Sequence, residues 1–287
     1  MSILAIEKSG QTRTGLHPKK KLGQHFLQDQ NLIQKMIDLA GFSREDIVLE
    51  IGPGLGALTK PLAGCVKQVI AVEKDTDLAG WLSRDLDLMG IQNVVLINRD
   101  ILRFDFSSYS DLQSAKLQII GNLPYNISSP LLERLIQNQT LISRAVLMFQ
   151  MELAQRLQAV PGHREYGGLT VLIQYHARVR PLLTVPREAF YPKPKVGSMV
   201  VEIDFTKPFG EKAEDEVWFK KTVKAAFSHK RKTILNSLRG ALPVFDRVQL
   251  DRALVQSGIE PNKRAEQLPI EMFIRLSRAL KAQACSS

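Results

Sequence analysis

The amino-acid sequence predicts an α/β fold: a mostly parallel sheet with helices on both faces, an antiparallel pair at one edge, and a small all-helical domain following it in the chain. Three observations carry the prediction. Between residues 47 and 158, five short apolar runs alternate with stretches of helical spacing, the pattern of a sheet built from strand–helix–strand units. After about residue 176, two more apolar runs, 177–185 and 198–205, are joined by a loop at 186–197 without helical pattern, which fits an antiparallel pair at the sheet edge. Beyond an acidic stretch at 211–216, only helical spacing remains.

Residues 1–20 are polar and carry Gly, Pro and Lys, so a flexible tail is expected there. Leu32, Ile33, Met36 and Ile37 give residues 31–39 one apolar helical face. Residues 47–51 read as a buried strand, followed by glycines and a helix at 57–63. Strands at 68–72 and 94–97 flank a helix at 77–88. A fourth strand at 117–120 leads to a helix at 130–136, and a fifth at 145–149 to one at 152–158. The last part reads as helices at 217–227, 232–238, 246–256 and 270–282. The expected organisation is a tail at 1–20, a sheet domain at 21–210 and a helical domain at 211–287.

A chain of 287 residues suits one large domain plus a smaller one, and 44% hydrophobic residues suffice for a sizeable core. The formal charge is +10, and residues 217–287 hold 14 Lys/Arg against 5 Asp/Glu. This excess predicts an anionic partner for the helical part. Two cysteines, Cys65 and Cys285, make neither a disulfide framework nor a metal site, and fit a reducing compartment. The apolar run at the N-terminus is too short for a signal peptide, and no stretch approaches a membrane span. A cytoplasmic protein without metal or membrane is expected.

Glu50-Ile-Gly-Pro-Gly-Leu-Gly-Ala57 closes the first strand and opens a helix. Gly52 and Gly54 let a ligand approach the backbone, in the manner of dinucleotide-binding turns. Glu73 at the end of the second strand suits two vicinal ribose hydroxyls, and Asp100 after the third suits an adenine amine. Three polar anchors at successive strand ends lie along the crevice where open α/β sheets bind ligands. Both a nicotinamide dinucleotide and S-adenosyl-L-methionine carry the adenosine such a set would hold.

The end of the fourth strand separates these two. There the chain reads Gly121-Asn-Leu-Pro-Tyr125. An amide, a proline and an aromatic ring in this order suit methylation of the exocyclic amine of a nucleobase, and have no use in hydride transfer. The amine is a poor nucleophile because its lone pair is delocalised into the ring. Asn122 and a nearby carbonyl accepting its N–H bonds would draw the nitrogen toward tetrahedral geometry. Pro124 fixes the turn, and Tyr125 offers a stacking face. The competing reading is a plain strand-end turn with a buried tyrosine.

With these residues in place, the chain resembles the ribosomal RNA adenine N6,N6-dimethyltransferases, and within them the bacterial small-subunit branch, over about residues 19–279. Lys21-Leu-Gly-Gln-His-Phe-Leu27 is similar to the family's first cofactor motif, which implies that Gln24, His25 and Leu27 cover the methionine end and adenosine. The family more often has Asn where His25 stands. Gly52, Gly54, Glu73 and Asp100 match its cofactor positions, and Asn122, Leu123, Pro124 and Tyr125 its catalytic motif, with Asn122 also near the methyl donor. Phe190-Tyr-Pro-Lys-Pro-Lys-Val196 resembles the family's F-x-P-x-P-x-V loop, implying that Phe190 stacks on the far face of the target adenine. The segment 226–238 resembles a basic helix of the small-subunit branch. The resemblance implies a Rossmann-like seven-stranded methyltransferase sheet with S-adenosyl-L-methionine as cofactor. It further implies two methyl groups on each of two adjacent adenines near the 3′ end of small-subunit rRNA, and a role in late subunit assembly.

Lys220, Lys221, Lys224, Lys230, Arg231 and Lys232 crowd into thirteen residues with few acids between them, and are the candidate RNA-binding residues. A solvated helix face is the bland alternative. Lys19, Lys20 and Lys21 form a second basic candidate, and residues 163–167 a surface loop that could reach substrate. A monomer acting on the small ribosomal subunit is expected. Two alternatives are a large-subunit rRNA dimethyltransferase of the macrolide-resistance type, which residues 230–238 disfavour, and a non-catalytic assembly factor, which has no need of Glu73 and the Asn-Leu-Pro-Tyr turn.

Overall fold

The computed structural model describes residues 17–110 and 116–284. Its elements, in chain order, begin with β1 (Phe26–Leu27), α1 (Gln30–Ala40), β2 (Ile47–Ile51), α2 (Thr59–Ala63), β3 (Gln68–Glu73) and α3 (Thr76–Leu88). Then come β4 (Val94–Asn98), α4 (Ser107–Ser110), β5 (Leu117–Asn122), α5 (Ser128–Gln137), β6 (Ile142–Gln150) and α6 (Met151–Gln158). They are followed by α7 (Gly168–His176), β7 (Arg178–Val185), β8 (Phe190–Tyr191) and β9 (Ser198–Asp204). Four helices close the chain: α8 (Glu216–Ala226), α9 (Ile234–Ala241), α10 (Arg247–Gln256) and α11 (Ile270–Ala284).

The main sheet has seven strands in the order β4-β3-β2-β5-β6-β9-β7. The pairs β3–β4, β2–β3, β2–β5 and β5–β6 are parallel, and β9 runs antiparallel to β6. The chain runs outward from β2 through β3 to β4, then crosses back to β5 and β6 on the other side of β2. The order therefore reverses at β2, and a crevice opens beyond its carboxyl end. β2 is buried along its whole length, as a central parallel strand covered on both faces must be. Gly121 in β5 has a packing reason: a Cβ there would stand 2.7 Å from the Ile51 carbonyl oxygen, so only glycine lets β5 lie this close to β2.

Helix boundaries follow local chemistry. Asp29 and Asp75 cap α1 and α3 by accepting main-chain N–H bonds. The acidic stretch read as a boundary supplies a cap too, since the Asp215 carboxylate accepts from the N–H groups of Val217 and Trp218 at the start of α8.

The described chain divides into two compact units: residues up to Ala154 together with Arg180–Thr206, and Gln155–Val179 together with residues from Lys207 on. The last break, at Thr206/Lys207, falls near the single cut expected at 210/211, while Gln155–Val179 also groups with the second unit. That segment contains α7, for which the sequence suggests no helix. Thr170, Val171, Leu172, Ile173, Tyr175 and His176 are all buried, so α7 has no polar stripe and no helical periodicity to read. Within its unit the Tyr175 ring lies 4.1 Å from that of Phe219, and Tyr166 packs against Phe227 at 6.3 Å. The Tyr175 hydroxyl donates to Glu216 at 2.8 Å. Residues 1–16 and Cys285 lie outside the described residues, and Cys65 is a free, half-buried thiol.

Candidate active site

The carboxyl ends of β2, β3 and β5 border a cavity, and Leu22 to Leu27 form a further wall of it. Gln24, His25, Leu27, Gly52, Gly54, Glu73, Asp100, Asn122, Leu123 and Pro124 all line this one space. The structure therefore brings together every candidate cofactor residue and three of the five candidate catalytic ones.

Glu73 ends β3 and is 6% exposed. Its Oε2 accepts from the Gly54 N–H at 3.0 Å and its Oε1 from the Asp75 N–H at 2.8 Å. Gly54 turns this N–H toward the carboxylate with φ +57°, a conformation costly for residues with a Cβ. Burial pushes the Glu73 carboxyl above its usual range, against these two bonds. Each oxygen keeps a second lone pair for a ligand.

Asp100 follows β4. Its Oδ1 accepts from the Leu102 N–H at 3.0 Å, and its Oδ2 pairs with Lys74 at 2.8 Å. Partial burial pushes this carboxyl up, but the Lys74 and Leu102 bonds outweigh it and hold it below its usual range. Gln24 lines the cavity with its amide engaged on both sides, accepting from the Lys19 N–H at 2.7 Å and donating to Asp75 at 3.0 Å.

Asn122 ends β5. Its Nδ2 donates to the main-chain carbonyl of His25 at 3.0 Å. A carbonyl only accepts, so the amide orientation is determined: nitrogen toward His25, Oδ1 away from it. The His25 ring lies on the Tyr125 ring at 5.3 Å and 28° between planes, and His25 Nδ1 is 2.6 Å from the Pro192 carbonyl oxygen. A carbonyl only accepts, so the proton of that bond sits on Nδ1. The Tyr125 hydroxyl bonds Ser198 Oγ at 3.0 Å. Half-burial raises the phenol pKa, partly offset by Ser198.

Phe190 lies outside the lining of this cavity. It is 4% exposed, pairs with Leu27 between β1 and β8, and belongs to the apolar core. Its ring packs on that core. The basic residues divide into two groups. Lys220, Lys221 and Lys224 edge a shallow groove on α8, where Lys221 Nζ lies 4.6 Å over the Trp218 ring. Lys230, Arg231 and Lys232 are exposed in the turn before α9, which starts at Ile234 rather than 232.

Sequence reasoning missed Glu50, which is 1% exposed and also lines the cavity. Its Oε2 is buried without a hydrogen-bond partner. Burial, with Thr59 opposing and Glu73 adding, pushes its carboxyl up to about 8. A charged residue inside an otherwise apolar strand was the available signal. Ser198, which holds Tyr125, carries no sequence signal, and Pro192, which holds His25, falls in the 190–196 loop motif without being singled out there. Among the described residues no cluster of His, Cys, Asp or Glu could hold a metal ion, and no helix is long and apolar enough to cross a membrane.

A family model described as Ribosomal RNA adenine dimethylase matches residues 15–282. A Ribosomal RNA small subunit methyltransferase A from Desulforapulum autotrophicum is 47% identical over 265 residues, spanning 92% of this chain and 93% of that protein. Among solved structures, a dimethyladenosine transferase from Plasmodium falciparum aligns with a TM-score of 0.73 at 27% identity, over 90% of this chain and 98% of the other. The 23S rRNA methyltransferase ErmE aligns with a TM-score of 0.65 at 25% identity, over 89% and 99% of the two chains. Backbone similarity thus extends to a protein named for 23S rRNA, while the 47% relative carries the small-subunit name.

Proposed function

Since the chain belongs to the ribosomal RNA adenine dimethylase family, we propose that it transfers two methyl groups from S-adenosyl-L-methionine to N6 of each of two adjacent adenines near the 3′ end of small-subunit rRNA. The substrate is an assembling small subunit in the cytoplasm, and the reaction accompanies a late assembly step. Close similarity to a protein named for the small subunit favours this over a large-subunit target. The observation that carries the chemistry is the orientation of Asn122, whose amide nitrogen is committed to His25 on the wall of the cavity that also holds Glu73.

The donor set fits the cofactor. Glu73 has acceptor capacity for ribose hydroxyls, and the unpartnered Glu50 oxygen suits a ligand N–H or O–H group. Leu27, Leu78 and Ile101 offer an apolar surface to an adenine. Bound S-adenosyl-L-methionine supplies a methyl group on a sulfonium, whose positive charge favours methyl loss.

The residues of the chain prepare the nucleophile. Asn122 Oδ1 accepts one N–H of the adenine amine and withdraws its lone pair from the ring, an interaction that strengthens as the nitrogen becomes tetrahedral. Pro124 fixes the turn that follows. Tyr125, tied to Ser198 and backed by His25, presents the ring face away from His25 to the base. Phe190 supports this arrangement from the core through the β1–β8 pair. Lys220, Lys221, Lys224, Lys230, Arg231 and Lys232 bind rRNA phosphates.

The test is a mass map of rRNA nucleotides after incubating the protein and S-adenosyl-L-methionine with unmethylated small and large subunits in turn. Dimethyladenosine at two adjacent positions of small-subunit rRNA is expected. Methylation confined to large-subunit rRNA would overturn the substrate. Tight subunit binding with no transfer would leave a binding factor instead.

A further inference from the structure

One charged cluster adjoins the cavity wall without lining the cavity. Lys19 Nζ lies 2.6 Å from Asp75 Oδ1 and 2.7 Å from Asp77 Oδ2. The Lys19 backbone N–H donates to Gln24 Oε1 at 2.7 Å, and Gln24 Nε2 donates back to Asp75 Oδ2 at 3.0 Å. Both Asp75 oxygens are thus engaged, and its side chain is 1% exposed against 37% for Lys19. The Asp75 N–H in turn donates to Glu73 Oε1 at 2.8 Å. A lysine that the sequence offers as an RNA clamp is therefore engaged within the protein, two bonds away from the proposed ribose ligand.

Residues 17–27 form a strap attached at both ends. At the far end, Phe26 and Leu27 pair with Tyr191 and Phe190 through the main chain, and His25 bonds Pro192. At the near end stands the Lys19–Asp75–Gln24 cluster. Between the two, Leu22, Gly23, Gln24 and His25 wall the cavity. A main-chain strand pair is the stable anchor, whereas a partly exposed ion pair is weak enough to open and close.

We propose that Lys19 is a positioning residue that clasps the strap over the methyl donor, so that opening of the Lys19–Asp75 ion pair governs exchange of cofactor for spent product. The proposal rests on the reading of the cavity as the S-adenosyl-L-methionine site. Two methylations on each of two bases require a fresh donor each time, so the strap must open repeatedly while the subunit is being modified. A clasp made of charge rather than of apolar packing fits that demand.

The experiment compares Lys19→Met, Lys19→Arg and the unaltered protein, using S-adenosyl-L-methionine and S-adenosylhomocysteine as probes. Calorimetry and stopped-flow displacement should show Lys19→Met binding both roughly three- to tenfold more weakly, through faster dissociation. Its melting temperature and its affinity for small subunits should stay unchanged, and Lys19→Arg should restore slow release. Unaltered dissociation in a folded Lys19→Met, or failure of Lys19→Arg to restore it, overturns the clasp. A loss of subunit affinity in place of cofactor affinity returns Lys19 to an RNA role and overturns it as well. Should the unaltered protein bind neither probe, the cofactor reading itself fails, an outcome distinct from normal binding that Lys19→Met leaves unmoved.

Discussion

The Asn122 side-chain amide donates to the main-chain carbonyl of His25 at 3.0 Å, joining positions 97 apart in the chain. One bond thereby ties the wall made by the N-terminal strap to the end of β5 and orients the amide oxygen that the reaction uses. The remaining hydrogen-bond capacity of Asn122 is what the substrate amine meets.

Removing that oxygen should stop the chemistry. Asn122→Ala is expected to lower the single-turnover rate by about 10²–10³-fold, the range for losing one preorganised transition-state partner. Asn122→Asp keeps an acceptor but loses the donor to His25 and places a carboxylate oxygen against a carbonyl, so it should be similarly slow. A folded Asn122→Asp with near-normal rapid-quench rates would show that the His25 bond is dispensable.

Glu73 should matter to the cofactor and not to RNA. Glu73→Ala is expected to weaken S-adenosyl-L-methionine binding by about 1–3 kcal/mol, because a charged acceptor is removed. Subunit affinity should hold. Calorimetry giving unchanged cofactor affinity would remove Glu73 from the site.

Glu50 gives a pH signature. Its carboxyl holds a proton up to about 8 in the folded protein, against 4.5 for an ordinary glutamate, so folding takes up a proton between those values. Stability contributed by this group is therefore present below pH 4.5 and lost as pH rises through about 8. Glu50→Gln cannot ionise, so its melting temperature should gain on that of the unaltered protein from about pH 5 to about pH 9. A difference that stays flat across that range would place the Glu50 titration elsewhere.

Phe190 should act first through stability. Phe190→Ala empties a buried ring site and is expected to cost about 3–5 kcal/mol. Phe190→Leu should recover most of that, and its turnover with it. If Phe190→Leu keeps full stability yet loses most turnover, the ring reaches the substrate after all.

The turn between α8 and α9 should answer to salt. Replacing Lys230, Arg231 and Lys232 with Gln is expected to weaken small-subunit binding and to reduce the slope of log affinity against log salt by about 2–3, since each phosphate no longer neutralised by the protein accounts for roughly one unit. All three side chains are exposed, so folding should survive. An unchanged slope would move the RNA surface to Lys220, Lys221 and Lys224.

Where an apolar run is short and bounded by glycines, or recurs on one helical face, the sequence could be read closely. Residues 47–51 were legible as β2 to the residue, and the spacing of Leu32, Ile33, Met36 and Ile37 marked α1. Glu73, Asp100 and Asn122 were legible because strand ends in a parallel sheet share one edge. Helix α7 was not, since burial on every side leaves no periodicity. The two-residue strands β1 and β8 were not either, for a pair so short is defined by a partner far along the chain, as Phe26 by Tyr191 at one rung and Leu27 by Phe190 at the next. The partners of Lys19 were not legible either, for a simpler reason. A charge run shows where cations are, whereas only the fold shows which ones already have carboxylates.

The assignment of Gln155–Val179 to the second unit has a consequence for how the protein is made. The chain leaves the sheet unit after Ala154, returns at Arg180 and leaves again after Thr206. During synthesis, α7 therefore emerges well before Phe219, Phe227 and Phe273, the aromatic rings among which its unit is built. From His176 to Phe273 is roughly a hundred residues, or about 5–20 s of translation. For that interval a helix destined to be buried on nearly every side has no permanent cover, which makes the nascent chain, rather than the finished enzyme, the stage most exposed to aggregation and chaperone capture.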